Sequence, residues 1–329
     1  MRCLVTSSRN YDQDFLLAAN NGRHELVFTE TTLIANTAFM AQGFPAVCPF
    51  VDDRIDQDTL HTLAKLGTKL LVLRSTGYNH VHLPTAKQLG MTVMRVREYS
   101  PYAVAEFALT LMLSLNRHLH KAYNRIREGN LLLDGLLGFD MHGKTVGIVG
   151  TGKIGMALAR ILRGMGCHVL GYDLYPNPDA QELGMVYLPL EELLRQSQIV
   201  SLHLPLLPET QHLLNAERLA LLPKGAMVIN TGRGGLIDTV ALIGALKSQH
   251  LGAVGLDVYE EEAELYFRDH CDDIICDDTF ERLLTFPNVI VTGHQAFFTR
   301  EALQTIAATT IQNLTDYCEG RSNDNVVFA

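Results

Sequence analysis

The sequence has no long hydrophobic run. Nothing in it approaches the ~18 consecutive apolar residues that a membrane span requires, so no spanning helix is expected. Charge is also modest: Asp, Glu, Lys and Arg make up 19% of the chain, with a net charge of -9. A negative balance argues against a nucleic-acid or anionic-membrane surface as partner, since both need a basic face. The six cysteines (3, 48, 167, 271, 276 and 318) are scattered through a chain large enough to fold without covalent staples. Reduced thiols in a cytoplasmic protein are the expectation. Cys271 and Cys276 are neighbours, but no second Cys/His pair accompanies them, so no metal site is expected. No short-period repeat or low-complexity segment is present. No Gly-x-Ser-x-Gly elbow exists to support serine hydrolysis. The opening Met1-Arg2-Cys3-Leu4-Val5-Thr6-Ser7-Ser8 has no long apolar core and reads as a first strand rather than a signal peptide.

What is present is a globular pattern. Hydrophobic residues make up 47% of 329, and at roughly 150 residues per domain two domains are expected. Short β-branched runs alternate with stretches of helical period. The runs are Leu4-Val5-Thr6, Glu25-Leu26-Val27-Phe28, Ala46-Val47-Cys48, Lys69-Leu70-Leu71-Val72-Leu73 and Thr92-Val93-Met94, with a helical segment over 58–66 among them. Such alternation predicts βαβ units and parallel sheets. Ser100-Pro101 then marks a helix start, Ser as cap and Pro at the first helical position. Val104, Phe107, Ala108, Leu111, Leu115 and Leu119 recur at helical spacing, predicting one long bridging helix to about Glu128, with a basic far end. A second series follows, with strands predicted over 145–149, 168–172, 199–203, 226–230, 254–257 and 289–292, and a final helix over 301–319.

The most specific local signal is Gly150-Thr151-Gly152-Lys153-Ile154-Gly155, set between the apolar run Thr145-Val146-Gly147-Ile148-Val149 and an amphipathic helix. Strand, glycine turn and helix in that order form a dinucleotide fingerprint. Gly150 permits the turn, Gly152 lets backbone approach a pyrophosphate, and Gly155 allows close helix–strand packing. The next strand ends in Asp173, 18 residues after Gly155, placed for the adenosine ribose hydroxyls. A carboxylate there repels a 2′-phosphate, and Leu174 and Tyr175 offer no arginine to receive one. NAD rather than NADP is expected.

Three later strand ends carry chemistry: Asn230-Thr231-Gly232-Arg233-Gly234-Gly235 with Asp238, then Gly255-Leu256-Asp257-Val258-Tyr259-Glu260-Glu261-Glu262, then Val291-Thr292-Gly293-His294-Gln295-Ala296-Phe297. Open α/β sheets place ligands at such ends. Singly, each has an ordinary reading: a structural histidine, a solvated acidic face, a surface ion pair. Together, an arginine held between glycines can grip a carboxylate with its planar fork. A histidine can give a proton and become neutral, and a carboxylate beside it favours the charged form.

In this order and spacing the segments resemble the D-specific 2-hydroxy acid dehydrogenases over nearly the whole chain. Within that family the chain is most similar to the bacterial fermentative D-lactate dehydrogenases. Arg95-Val96-Arg97-Glu98-Tyr99-Ser100-Pro101, Leu73-Arg74-Ser75-Thr76-Gly77-Tyr78-Asn79, Gln295-Ala296-Phe297 and the acidic stretch 260–278 carry that narrower likeness. The resemblance implies an α/β fold of two Rossmann-like parallel-sheet domains with the active site in the cleft between them. Residues 1–100 and 299–329 would form a flavodoxin-like substrate (catalytic) domain, and residues 101–298 an NAD-binding Rossmann domain. The implied reaction is reversible NADH-dependent reduction of pyruvate to D-lactate.

By the same resemblance His294 would be the acid/base and Glu262 its partner, chosen over its neighbours because it lies five residues after Asp257. Arg233 would anchor the substrate carboxylate and carbonyl. Lys153 and Ile154 would meet the cofactor phosphates, Leu204, Pro205 and Thr210 the adenine side, and Thr231, Gly232 and Asp257 the nicotinamide. The Thr76-Gly77 backbone and Tyr99 would face the substrate from the first domain, with Phe297 also at the substrate. A homodimer through the 101–128 helix, or a homotetramer, is implied, with no nucleic-acid or membrane partner. Two departures from the family pattern stand out. His82 replaces the usual acid in Gly-x-Asn-x-Val-x-Leu, which puts a local helix cap in question, and Phe107 replaces a common His after Ala-Glu.

Other readings share the pattern. Formate dehydrogenases pair their histidine with Gln and lack the Glu matching Glu262. Phosphoglycerate dehydrogenases often add a C-terminal regulatory domain, whereas 35 residues follow His294 here. Glyoxylate, hydroxypyruvate and branched 2-keto acids stay open as substrates, although Tyr99, Phe297 and Phe298 hint at a small pocket. Relatives of this fold also act as NAD-sensing co-repressors, so fold alone does not settle function.

Overall fold

The computed structural model describes residues 1–262, 265–267 and 269–328. Ala263, Glu264 and Arg268, in the acidic stretch named above, lie outside the described residues, as does Ala329. In chain order the first elements are β1 (Arg2–Val5), α1 (Asn10–Asn20), β2 (Glu25–Phe28), β3 (Ala46–Cys48), α2 (Gln57–Lys65), β4 (Leu70–Val72), α3 (Leu83–Gln88) and β5 (Thr92–Met94). Next come α4 (Pro101–Asn116), α5 (Leu119–Arg127), β6 (Thr145–Val149), α6 (Lys153–Gly164), β7 (His168–Tyr172), α7 (Asp179–Glu182), β8 (Val186–Tyr187) and α8 (Leu190–Gln196). The remainder is β9 (Ile199–Leu202), α9 (Ala216–Leu221), β10 (Ala226–Asn230), α10 (Thr239–Lys247), β11 (Leu251–Leu256), α11 (Asp278–Leu284), β12 (Val289–Val291), α12 (Arg300–Cys318) and β13 (Val326–Phe328).

These elements form two compact units, Met1–Ser100 with Phe298–Ala329, and Pro101–Phe297. The first holds a six-stranded sheet in the order β13-β5-β4-β3-β1-β2. All its pairings are parallel except β13 on β5. The order 2-1-3-4-5 for the parallel strands is the flavodoxin-like winding. Side chains alternate across this sheet with period 2. Leu4, Val47, Leu71 and Val93 pack on one face with Leu60, Leu63 and Ala86. Cys3, Val5, Ala46, Cys48, Leu70, Val72 and Met94 pack on the other with Leu16, Ala307, Ile311 and Leu314.

The second unit holds seven parallel strands in the order β12-β11-β10-β9-β6-β7-β8. Counted from β6 this is 3-2-1-4-5-6 plus one strand, the nucleotide-binding winding. Val146, Ile148, Ile199, Met227 and Ile229 meet α4 and α6 through Ala108, Leu111, Met112, Leu115, Met156 and Leu162. Val200, Leu202, Val228, Val254 and Leu256 meet Leu193, Leu194, Leu219 and Leu242 on the opposite face.

Three details differ from the sequence expectations. The helix expected to run from 101 to 128 is two helices. α4 stops at Asn116, and His118 takes the left-handed conformation (φ 49°) before α5 resumes at Leu119. The Asn116 side chain donates to the Phe139 carbonyl (2.7 Å) and accepts from the Phe139 N–H (2.8 Å), bringing a distant strand of chain onto the helix end. Leu119, in phase with the α4 face, is exposed. His82, where an acid was expected, does cap α3: its Nδ1 accepts from Thr85 N–H at 3.4 Å. Phe107, the other departure, packs half-buried against the α4–α6 core. Strands β8 and β13 were not expected at all.

Candidate active site

Register, rather than any single motif, gathers the candidate residues. Tyr172 pairs with Val149, Val149 with Leu202, Leu202 with Asn230, Asn230 with Leu256, and Leu256 with Val291. These residues form one row across the carboxyl edge of the second sheet. Each chain segment that leaves the row therefore emerges at the same edge: 150–155, 173, 203–205, 231–235, 257–262 and 292–297. The topological switch lies between β6 and β9, where such sheets open a crevice for ligands.

The glycine turn fits a dinucleotide. Gly150 sits at φ 96°, and a Cβ there would lie 2.6 Å from the His203 carbonyl oxygen. A Cβ at Gly155 would lie 2.0 Å from the Gly150 carbonyl oxygen, so α6 can approach the strand only without one. Gly152 differs, since apart from its own chain neighbours no described atom lies within 4 Å of its missing Cβ. The bare backbone at the start of α6 thus borders open space, as a pyrophosphate on the helix N-terminus needs. Lys153 and Ile154 form the first turn of that helix. On the loop after β10, the buried Thr231 hydroxyl has no hydrogen-bond partner among the described residues.

Asp173 is half-buried beside this turn. Its Oδ2 accepts from Thr151 N–H (2.7 Å) and its Oδ1 from Tyr175 N–H (3.0 Å). Thr151 is held from the other side by Tyr187, whose hydroxyl donates to Thr151 Oγ1 at 2.7 Å. Thr210 ties the loop after β9, donating to the Pro205 carbonyl (2.7 Å) and accepting from Leu207 N–H (2.8 Å). Leu204 packs half-buried against the core.

The histidine loop is built on Asp257, which is fully buried. Its Oδ1 accepts from the Thr292 hydroxyl (2.6 Å) and Gln295 N–H (2.9 Å), and its Oδ2 from Ala296 N–H (2.8 Å). Burial pushes this carboxyl above the ordinary range, while those donors oppose the shift. The Asp257 carbonyl also accepts from His294 N–H at 2.8 Å. His294 is thereby held at φ 52°. Its Nδ1 meets Glu262 Oε1 at 2.9 Å, with side chains 20% and 24% exposed. Glu262 Oε2 accepts from Tyr259 N–H at 3.1 Å, which fixes the carboxylate. With an ionised Glu262, Nδ1 carries the proton in this bond and Nε2 is the end that can meet a substrate. The Phe267 ring covers the imidazole, centroids 5.9 Å apart.

Arg233 begins the turn after β10, and its Nη1 donates to the Gly232 carbonyl at 2.7 Å. Asn230, fully buried, accepts from Gly232 N–H (3.0 Å) and donates to the Arg233 carbonyl (2.9 Å). Thus Arg233, Glu262, His294 and the glycine turn share one edge of the second unit. Phe297 closes the histidine loop in the same unit. Thr76, Gly77 and Tyr99 belong to the first unit, on the segments after β4 and β5. The supports from Tyr187, Asn230 and Thr292 were not anticipated in the sequence. Asn230 had a legible signal, since an Asn two residues before a glycine often bonds its own turn.

A doubly wound second unit with a glycine fingerprint and an His–Glu pair on one sheet edge defines an NAD-binding oxidoreductase. Comparisons narrow the class. The sequence model of the D-isomer specific 2-hydroxyacid dehydrogenase NAD binding domain matches residues 109–296. The chain is 47% identical over 326 residues to the D-lactate dehydrogenase of Escherichia coli, covering 99% of each chain. It is 46% identical over 329 residues to 2-hydroxyacid dehydrogenase homolog 1 of Schizosaccharomyces pombe, again covering 99% of each. Among solved structures, the pyruvate reductase of Chlamydomonas reinhardtii superposes with a TM-score of 0.94 at 46% identity, covering 99% of this chain and 98% of that one. The chain belongs to the D-2-hydroxyacid dehydrogenase family. Among the described residues no helix is long and apolar enough to cross a membrane, and no cluster of three or more His, Cys, Asp or Glu could hold a metal ion.

Proposed function

We propose that the protein is a D-lactate dehydrogenase that reduces pyruvate to D-lactate, reversibly, with NADH. The observation that carries the reading is the 2.9 Å His294–Glu262 pair on the same sheet edge as Arg233 and the nucleotide turn. The names of the Escherichia coli and Chlamydomonas relatives support the choice of pyruvate. When bound, NADH supplies the hydride that converts the keto carbon to an alcohol carbon. Reduction also needs a proton on the oxygen, and His294 Nε2 delivers it. Glu262 holds Nδ1–H and stabilises the imidazolium before transfer. The Arg233 fork binds the carboxylate and places positive charge beside the carbonyl oxygen, where negative charge develops. Thr76, Gly77, Tyr99 and Phe297 complete the substrate contacts. Loss of NADH absorbance on adding pyruvate, glyoxylate, hydroxypyruvate or a branched 2-keto acid tests this reading. The highest kcat/KM is expected with pyruvate, and a clear preference for any other acid replaces lactate in the assignment.

We read Gly150, Gly152, Lys153, Ile154 and Gly155 as the phosphate cradle. Leu204, Pro205 and Thr210 flank the adenine, and Thr231, Gly232 and Asp257 line the nicotinamide end. The Asp257 carboxylate already accepts three hydrogen bonds from its own loop, so its part there is to position the backbone around it. Asp173 selects NADH over NADPH by charge. Its replacement by Ala is expected to raise KM for NADH and narrow the NADH/NADPH ratio of kcat/KM. Since Asp173 also ties Thr151 and Tyr175, a thermal melt accompanies the kinetics. A folded variant with an unchanged ratio sinks the assignment.

The same reading makes the protein a homodimer or homotetramer in a cytoplasm. On α5 no residue is buried, and Leu119, Tyr123 and Ile126 are exposed beside Leu131, Leu132, Leu133 and Leu137. So many large apolar side chains left exposed along one stretch of chain mark it as an association site. Sedimentation analysis is expected to give at least twice the 36.5 kDa chain mass, and a monomer at micromolar concentration would contradict it.

A further inference from the structure

We propose that Arg95 is a positioning residue for the Thr76–Gly77 backbone, holding its N–H groups toward the substrate anion. The proposal rests on the reading above that this backbone faces the substrate. It comes from the first unit alone.

After β4 the chain presents three successive carbonyls, and each is hydrogen-bonded. The Ser75 carbonyl accepts from Val96 N–H (3.0 Å), the Thr76 carbonyl from Arg95 Nη1 (3.1 Å), and the Gly77 carbonyl from the Ser75 hydroxyl (2.7 Å). No peptide bond in the described chain is cis. In a trans peptide the N–H points opposite to the C=O of the same plane. Holding the carbonyls of Ser75, Thr76 and Gly77 therefore turns the N–H groups of Thr76, Gly77 and Tyr78 each away from the donor that holds the carbonyl of its own plane. None of those three N–H groups has a backbone acceptor among the described residues. Successive N–H groups left free in one turn are the donors from which an anion cradle is built.

Of the three grips, that of Arg95 alone is charged and comes from a distant side chain. It fixes the Thr76–Gly77 plane at the centre of the cradle. Its guanidinium also lies over the Tyr78 ring, 5.0 Å from the centroid, so it grips the loop at two places. Arg95 is itself anchored. Its N–H donates to the Asn325 carbonyl (2.9 Å), and its carbonyl accepts from Asn313 Nδ2 (3.0 Å). Asn313 is fully buried, and its Oδ1 accepts from Asn323 (3.2 Å) and Asn325 (2.9 Å). Thus α12 and β13, far along the chain, set the place of the arginine that sets the loop. The ordinary reading of Arg95, a surface cation, leaves the double grip unexplained.

The test is the Arg95→Met variant of the full chain, assayed for pyruvate reduction, NADH binding and binding of oxamate, an anion of similar shape that accepts no hydride. Losing a charge-assisted bond to the cradle is expected to raise KM for pyruvate and the oxamate dissociation constant together, by roughly tenfold or more. In the same variant kcat falls less than about threefold, since the proton donor is untouched. NADH affinity is expected to hold, because the fingerprint lies in the other unit. Arg95→Lys, which keeps the cation and one donor, is expected to recover part of the loss. Where melting shows that Arg95→Met does not fold, Arg95→Gln takes its place. Unchanged KM and unchanged oxamate binding in a folded variant of an active enzyme overturn the proposal. A wild-type protein that reduces no 2-keto acid overturns the functional reading instead. Oxamate titration then still decides whether Arg95 holds an anion cradle.

Discussion

Replacing His294 with Asn is expected to lower kcat for pyruvate reduction by about 10²–10⁴-fold, the usual weight of a positioned general acid. NADH binding is expected to survive. Asn is the informative replacement because of the backbone. His294 sits at φ 52°, a region where Asn is several-fold enriched among residues other than glycine. Alanine there adds backbone strain and would mix a folding defect with a chemical one. The loop itself should persist in the Asn variant. Its fixed points are Asp257 Oδ1 and Oδ2 on Thr292, Gln295 and Ala296, together with the His294 N–H on the Asp257 carbonyl. None of these uses the imidazole. The effect should therefore fall on chemistry and leave the melting temperature near that of the wild type. Glu262→Gln is expected to lose less activity, because it removes the charge behind Nδ1 but not the proton donor. Substantial turnover in His294→Asn would remove His294 from its role and leave the reading without an acid.

Much of this arrangement was legible before any coordinates. Strand ends at 149, 172 and 230 fall where the apolar runs stop, and the glycine spacing names the nucleotide turn. Parallel strands joined by helical crossovers bring such ends to one edge, so chemistry scattered between 150 and 297 was expected to converge there. What escaped has a common physical cause: it depends on partners distant in sequence. The break between α4 and α5 follows from Asn116 meeting Phe139, 23 residues on, while the apolar period runs straight through. The two residues of β8 are too few to show a period, yet Tyr187 at its end braces Thr151, 36 residues earlier. β13 is a three-residue strand lying antiparallel at a sheet edge, too short to stand out in the sequence, and it is placed by Val326 and Val327 on the two core clusters and by Asn313, which the preceding Asn325 bonds. His82 shows the opposite case. Judged against the family pattern it was a misfit, but an unprotonated ring nitrogen accepts an N–H as a carboxylate does.

Arg233→Lys is the second large effect, and it separates charge from geometry. A lysine keeps the positive charge but has no planar fork, so it cannot hold a carboxylate through two parallel hydrogen bonds. The turn gives it little freedom to compensate. Asn230 clamps the Gly232 N–H and the Arg233 carbonyl from within the core. On the far side, a Cβ at Gly234 would lie 2.1 Å from the Tyr259 carbonyl, so the turn is pressed against the segment that carries Glu262. The backbone under residue 233 is thus fixed relative to the histidine's partner, and only the side chain can adjust. Its Nη1 bond to the Gly232 carbonyl further sets the plane of the fork and leaves other N–H groups to meet a ligand. Loss of that preorganised donor is expected to cost about 10²–10³-fold in kcat/KM. On the proposed role, in which the fork binds the carboxylate in the ground state and supports the oxygen as it gains charge, both kcat and KM should move. NADH affinity should hold, and the melt should stay near that of the wild type, since Asn230 and Gly234 do the structural work of the turn. A lysine variant within about threefold of the wild-type kcat/KM would show that charge alone suffices. In that case the two-pronged fork is not what orients the carboxylate.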